Sequence, residues 1–168
     1  MTVALVFLGS VVHEGWIAWQ GQRLAATVPM QEFAGLTNVW TEYEGLAAQS
    51  WLGGLGVRQL GRALTRQSLI LAERVAENYR TPAPTVREAQ WLAATHALER
   101  AVTVAPTDAT LRSLLRYSQG HLYRINGEAR QGRGQLTQAQ REFTEAVTAF
   151  RLSYAWARSV YVPAPTPV

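Results

Sequence analysis

Apolar residues recur at helical spacing through the middle of the chain. One series lies between residues 31 and 50, at Phe33, Leu36, Val39, Trp40, Tyr43, Leu46 and Ala47. A second series follows it, at Val57, Leu60, Leu64, Leu71 and Val75. This spacing places apolar side chains on one face of a helix, whereas a half-buried strand alternates apolar and polar residues. Because no segment sustains that alternation, the sequence predicts an all-α fold.

Glycine and proline mark where these helices begin and end. Glycines within residues 51–57 predict a turn or a helix start, and an amphipathic helix of about six turns follows. Pro82 and Pro84 end that helix, because each proline lacks a backbone donor and disfavours helical geometry in the residue before it.

Side chains that cap helices predict two further helix starts. Thr85 is placed to cap the next helix, with Glu88 three residues later to complete a capping box. Asp108 is placed to cap another helix, which we expect over residues 109 to about 127. The Gly-rich residues 127–136 then predict a connection to the last helix.

Two of the predicted helices share a pattern of small and large apolar residues. The first contains Ala94, Leu98, Ala101 and Pro106. The second contains, 45 positions later, Ala139, Phe143 and Ala146. This pattern resembles the second helix of a tetratricopeptide repeat, in which small residues lie where two helices cross. The resemblance implies antiparallel helical hairpins that stack as a short solenoid.

The pattern departs from that family in two respects. The family repeats about every 34 residues, so the surplus would lie in the Gly-rich residues 127–136. Arg151 also stands where the last repeat would have its junction proline. An unrelated helical bundle is therefore the alternative fold.

The chain opens with an apolar segment, in which twelve uncharged residues precede His13 and Glu14. Twelve helical residues span about 18 Å, which is less than the hydrocarbon thickness of about 30 Å. A span must therefore continue past the two ionisable residues. A core helix and a cleaved signal peptide are the alternatives.

Aromatic residues favour a membrane anchor at this end of the chain. Trp16 and Trp19 lie three residues apart, as in the aromatic belt at a membrane interface, and Arg23 follows as an interfacial anchor. We expect an anchor helix over residues 1–26, with residues 1–19 in contact with the lipid bilayer.

The remaining chain divides into a helical domain and a tail. We expect the tetratricopeptide-like domain over residues 27–159 and an extended, proline-rich tail over residues 160–168. A polyproline segment suits docking along a partner groove, so Pro163 and Pro165 are candidate partner-binding residues.

Composition excludes several kinds of chemistry. The chain has no cysteine and no lysine, and Asp108 is its only aspartate. Thiol ligands, a cysteine nucleophile, a P-loop and a Schiff base are therefore excluded. The net charge of +4 comes from arginines that are dispersed among glutamates, so we expect no nucleic-acid partner.

Few residues remain as candidates for chemistry, and we predict no catalytic residue, no metal site and no cofactor. His121 lies near Tyr117, Tyr123 and Arg124, and these four residues are candidates for partner binding. A structural network between stacked helices is the alternative for this cluster. His96 is predicted to be packed or hydrogen-bonded within its repeat-like helix.

His13 is the remaining histidine, and its place in an apolar helix makes it unusual. It is a candidate cofactor ligand, for a metal or a chlorophyll-type pigment, because its setting resembles that of antenna polypeptides. Pairing with Glu14, with a neighbouring subunit or with interfacial water is the alternative.

Together these features predict a non-catalytic, membrane-anchored scaffold that docks onto other subunits of a membrane protein complex. The alternative is a pigment- or cofactor-associated subunit of an energy-converting membrane assembly. The resemblance to bacterial membrane-anchored repeat domains implies the inner membrane, with the domain on the periplasmic side. Arg23 alone would place the domain in the cytoplasm.

Overall fold

A computed structural model of the chain describes residues 2–28, 32–51 and 54–161, with side chains from residue 11 to residue 159 of these ranges. Every regular element in the described ranges is helical, which confirms the predicted all-α class. The α-helices are α1 (Thr2–Ala25), α2 (Phe33–Gln49), α3 (Arg58–Tyr79), α4 (Glu88–Val104), α5 (Ala109–Gly132) and α6 (Leu136–Tyr161). A short 3₁₀ helix, Leu55–Val57, precedes α3.

The chain forms two compact units, residues 1–68 and residues 69–168, and α3 runs from the first into the second. In unit 1, α1 packs against α2 and against the 3₁₀ helix. In unit 2, α5 packs against both α4 and α6. In the part of the chain that the structure describes, none of the helices has the length and apolar character that a membrane crossing needs.

The core of unit 1 includes a residue from the predicted anchor. Ile17 of α1 is fully buried and clusters with Leu46 of α2 and Val57 of the 3₁₀ helix. Gly56 lets α1 approach closely, since a Cβ at Gly56 would lie 3.2 Å from the backbone nitrogen of Ala18. The proposed boundary between an anchor and a domain stays a prediction, but this side chain packs among residues on the domain side of it.

One buried hydrogen bond joins α2 to α3 in the same unit. Trp40 is almost fully buried, and its indole Nε1 donates to the hydroxyl of Ser68 at 3.2 Å. The ring of Tyr43 lies against Gly61, where an added Cβ would come within 3.2 Å of it. The apolar series that predicted α2 therefore does face the interior.

Unit 2 contains an antiparallel pair of long helices, α5 and α6. Phe150 of α6 faces Gly120 of α5, and one heptad along, Phe143 faces Gly127. From the first contact to the second, the residue number rises on α5 and falls on α6, so the two helices are antiparallel. Seven-residue spacing keeps both contacts on one seam.

Two of the predicted helix boundaries need correction. Helix α5 continues to Gly132 instead of ending near residue 127. Gly127 is not a turn residue: it lies within the helix, where the lack of a side chain admits the Phe143 ring. The connection to α6 is short, and its one left-handed residue is Gly134, with φ of 74°.

The predicted cap of α4 is also wrong, because α4 begins at Glu88 with Arg87 in the N-cap position. The backbone N–H and the hydroxyl of Thr85 both donate to Oδ1 of Asn78, at 3.1 and 3.2 Å, so Thr85 serves the end of α3 instead. The N–H of Arg87 donates to the side chain of Gln90 at 2.6 Å.

The predicted cap of α5 is confirmed. Asp108 accepts hydrogen bonds through Oδ1 from the backbone N–H groups of Thr110 and Leu111, at 2.9 and 3.1 Å. These bonds satisfy two of the donors that a helix leaves free at its N-terminus.

Candidate functional site

Four helices of unit 2 bring aromatic rings around His121. Its imidazole stacks on the indole of Trp91, with ring centres 4.2 Å apart and planes 10° apart. Tyr79 and Tyr117 present their rings edge-on at 4.4 and 4.7 Å, and Phe150 does so at 5.1 Å. We call these five residues the aromatic cluster.

The environment of His121 keeps its ring neutral. The residue is 4% exposed, and neither ring nitrogen has a hydrogen-bond partner. Burial, and then the positive charge of Arg124, lower the pKa of His121 to about 4. A general acid or base works best with a pKa near the working pH, so this histidine is poorly suited to proton transfer at neutral pH.

A groove opens beside the aromatic cluster, with a volume of about 530 Å³. We call it the α3/α5/α6 groove after the three helices that line it. Tyr117 and Phe150 belong to both the cluster and the groove. The complete lining is Glu73, Ala76, Glu77, Arg80, Thr110, Ser113, Leu114, Tyr117, Phe150, Ser153, Tyr154 and Ala157.

The groove combines aromatic surface with charge. Tyr154 is 67% exposed, and the guanidinium of Arg80 lies 5.7 Å from the centre of the Tyr117 ring. The carboxylates of Glu73 and Glu77 are exposed and stand on successive turns of α3. The groove therefore offers aromatic surface and charges of both signs, from Glu73, Glu77 and Arg80, to the same ligand.

The candidate partner-binding residues from the sequence fall in different places. Tyr117 lines the groove, whereas His121 is buried beneath it. Tyr123 and Arg124 are half-buried and stand outside the groove lining, and Arg124 pairs with Glu128 at 2.5 Å. Pro163 and Pro165 lie outside the described residues. The binding role of all six candidates stays a prediction.

Sequence reasoning missed residues that other helices contribute to the groove. Glu73 and Glu77 come from α3, and Tyr154 comes from α6, one turn after Phe150. A signal existed for Tyr154, because it lies on the same helical face as Phe150. His96, which was predicted to be packed, is exposed on α4.

At the other end of the chain, the two ionisable residues of α1 contact the end of α2. Nε2 of His13 donates to the carbonyl of Gln49 at 3.3 Å. Glu14 accepts from the hydroxyl of Ser50 at 3.0 Å and from the backbone N–H of Trp51 at 2.5 Å. The polar groups that interrupt the apolar segment therefore have partners within unit 1.

The predicted interface residues lie on the opposite face of α1 from its buried side. Trp16 and Trp19 are 46% and 54% exposed, and Val12, one turn before Trp16, is 67% exposed. The guanidinium of Arg23 lies 5.7 Å from the centre of the Trp19 ring. These four residues follow one another at i+4, i+7 and i+11 and form an exposed stripe.

Among the side chains that the structure describes, no three His, Cys, Asp or Glu residues come together as a metal site requires. The groove and the stripe both combine exposed aromatic side chains with charged ones. No family model, no curated protein and no solved structure matches the chain.

Proposed function

We propose that the chain is a non-catalytic scaffold, a membrane-anchored helical-repeat protein that docks onto other subunits of a membrane protein complex. The observation that carries this proposal is the α3/α5/α6 groove. Tyrosine is enriched where proteins contact one another, and Tyr154 stands exposed at the groove beside Tyr117. Both residues are held on helices, which keeps the surface preorganised for a partner.

Burial within unit 2 supports the tetratricopeptide-like arrangement. The small residues of the pattern are buried in both helices, Ala94 and Ala101 in α4 and Ala139 and Ala146 in α6. The long spacing between the two sets follows from the length of α5, which has 24 residues. A stack of such hairpins buries an apolar helix face that a single hairpin leaves exposed to solvent.

The exposed stripe on α1 supports membrane attachment through residues 1–19. Tryptophan favours the level of the lipid headgroups, and arginine beside it suits anionic headgroups. We place the protein at a bacterial inner membrane, with the helical domain on the periplasmic side.

The pigment-associated alternative receives no support from the described contacts of His13. Its Nε2 already donates to the carbonyl of Gln49. The role of His13 as a ligand stays a prediction, which an absorbance spectrum of the purified chain tests directly.

Site-specific photo-crosslinking in intact membranes tests the scaffold proposal. We would replace Tyr154 in the groove with p-benzoylphenylalanine and, as a matched control, replace the exposed His96 on α4. We expect Tyr154 to crosslink to a membrane-complex subunit that the control does not capture. Equal products from both positions, or none from Tyr154, would count against docking through the groove.

A further inference from the structure

A carboxylate of α1 accepts hydrogen bonds from the turn after α2. Glu14 accepts from the Ser50 hydroxyl and from the Trp51 N–H, as described above. The Ser50 oxygen also accepts from the N–H of Gly54 at 3.1 Å. A carboxylate within an apolar segment requires donors, and this turn supplies them. The same bonds fix where the turn stands along α1.

That position matches the level of the first exposed tryptophan of α1. Trp16 follows Glu14 by two residues, which is about 3 Å along the helix axis. The N–H of Trp51 donates to the Glu14 carboxylate, and the carbonyl of Gln49, two residues earlier, accepts from His13, so the backbone of Trp51 lies close to the level of Glu14. Trp51 is 74% exposed, and Leu55, at the start of the 3₁₀ helix, is 47% exposed.

Consider a helix that enters a bilayer with its axis perpendicular to the membrane plane. The depth of a residue packed beside this helix is set by the position of that residue along the helix axis. It does not depend on which face of the helix the residue contacts. A residue at the level of Trp16 would then meet the same zone of the bilayer as Trp16. The indole ring suits that zone, because it is apolar with one polar N–H.

We propose that Trp51 is a second membrane-contacting residue, which meets the headgroup boundary of a phospholipid bilayer, and that Glu14 positions it there. This inference rests on the proposed membrane attachment through residues 1–19. It adds a contact from a different part of the chain, so that unit 1 is held to the membrane at two points. Two such points restrain the tilt of unit 1 on the bilayer.

The absence of cysteine from the chain permits a direct measurement of depth. Trp51→Cys introduces a single thiol that can carry an environment-sensitive fluorophore. The full chain is reconstituted into vesicles of phosphatidylcholine and phosphatidylglycerol that contain lipids with a nitroxide either near the headgroup or near the chain end. Val147→Cys, on the exposed face of α6, is the matched control, and Trp16→Cys reports the attachment of α1.

We expect the label at Trp51→Cys to be quenched by the shallow nitroxide more strongly than by the deep one, and the label at Val147→Cys by neither. Quenching at Trp16→Cys without quenching at Trp51→Cys would overturn this inference and leave the proposed attachment standing. Absence of quenching at both positions would overturn both. Stronger quenching of Trp51→Cys by the deep nitroxide would overturn its placement at the headgroups.

The role of Glu14 is tested in the labelled Trp51→Cys chain. Glu14→Ala should reduce the shallow quenching at Trp51→Cys, while the helical circular-dichroism signal is kept. If Glu14→Ala does not fold, Ser50→Ala removes the hydroxyl that the carboxylate binds and should reduce the same signal. Unchanged quenching in a folded variant would overturn the positioning role of Glu14.

Discussion

Gly120 on α5 and Phe150 on α6 fit together so closely that a Cβ on the glycine would lie 2.6 Å from Cε1 of the ring. Gly127 and Phe143 repeat this relationship at 2.7 Å. Both glycines therefore serve packing, although each costs stability as a flexible residue within a helix. Because the glycines have no side chain, the phenylalanine rings of α6 pack directly against the backbone of α5. This close contact gives the dense packing that is typical of protein interiors.

Replacing Gly127 by alanine tests this packing. The new methyl group must displace the Phe143 ring or separate the helices, so we expect Gly127→Ala to lower the free energy of unfolding by about 1–3 kcal/mol. Gly132→Ala is the matched control, because an added Cβ at Gly132 meets nothing within 4 Å. The control should stabilise α5 by up to about 1 kcal/mol, since alanine favours a helix over glycine. Urea titration measures both variants, and equal effects would refute the tight contact.

The crossing of α4 with its neighbours gives a second prediction about packing. Ala101 has no exposed surface, so Ala101→Leu should overpack the interior and destabilise the protein by about 1–3 kcal/mol. Ala129→Leu, at an exposed position of α5, is the control and should change stability by about 0.5 kcal/mol or less. Thermal melts compare the two, and a wild-type melting temperature for Ala101→Leu would contradict the buried crossing.

The N-terminus of α5 depends on one side chain. Asp108→Ala leaves the backbone N–H groups of Thr110 and Leu111 without their carboxylate acceptor, and we expect a loss of about 1 kcal/mol in the free energy of unfolding. Asp108→Asn keeps a capping oxygen and should retain most of that stability. Chemical denaturation separates the two variants, and equal losses would show that the acceptor oxygen is not the cause.

Local rules predicted the helices well, because the spacing of Leu60, Leu64 and Leu71 reports one buried face without reference to the rest of the chain. They failed at Gly127, which has the local character of a turn residue. In the structure it lies within α5 and packs against the ring of Phe143, a tertiary contact that a local rule does not include. The predicted helix cap at Thr85 was wrong for a similar reason. Both the N–H and the hydroxyl of Thr85 donate to Oδ1 of Asn78.

The candidate site was less accessible to sequence reasoning than the fold. Tyr117 and His121 are one helical turn apart on α5, so their association follows from local spacing. Trp91 and Tyr79 join them only because separate helices converge on the same point. The burial that lowers the pKa of His121 arises from that convergence.

The pKa of His121 predicts how the stability of unit 2 responds to acid. In the folded protein this pKa is about 4, against an ordinary value of 6.5, because burial and the charge of Arg124 oppose protonation. Between these two values the unfolded chain binds a proton that the folded chain does not. Stability must therefore rise as the pH rises through this window and fall as the pH falls through it.

His121→Phe isolates this contribution from that of the carboxyl groups, because it keeps a ring against Trp91 and removes the titrating nitrogens. Between pH 6.5 and 5, we expect the wild-type protein to lose stability relative to His121→Phe, with a slope that approaches about 1.4 kcal/mol per pH unit. Urea titrations at several pH values give the two curves. Parallel curves across this range would show that the imidazole has the same pKa in the folded and unfolded chains. The aromatic cluster would then not shield it from solvent.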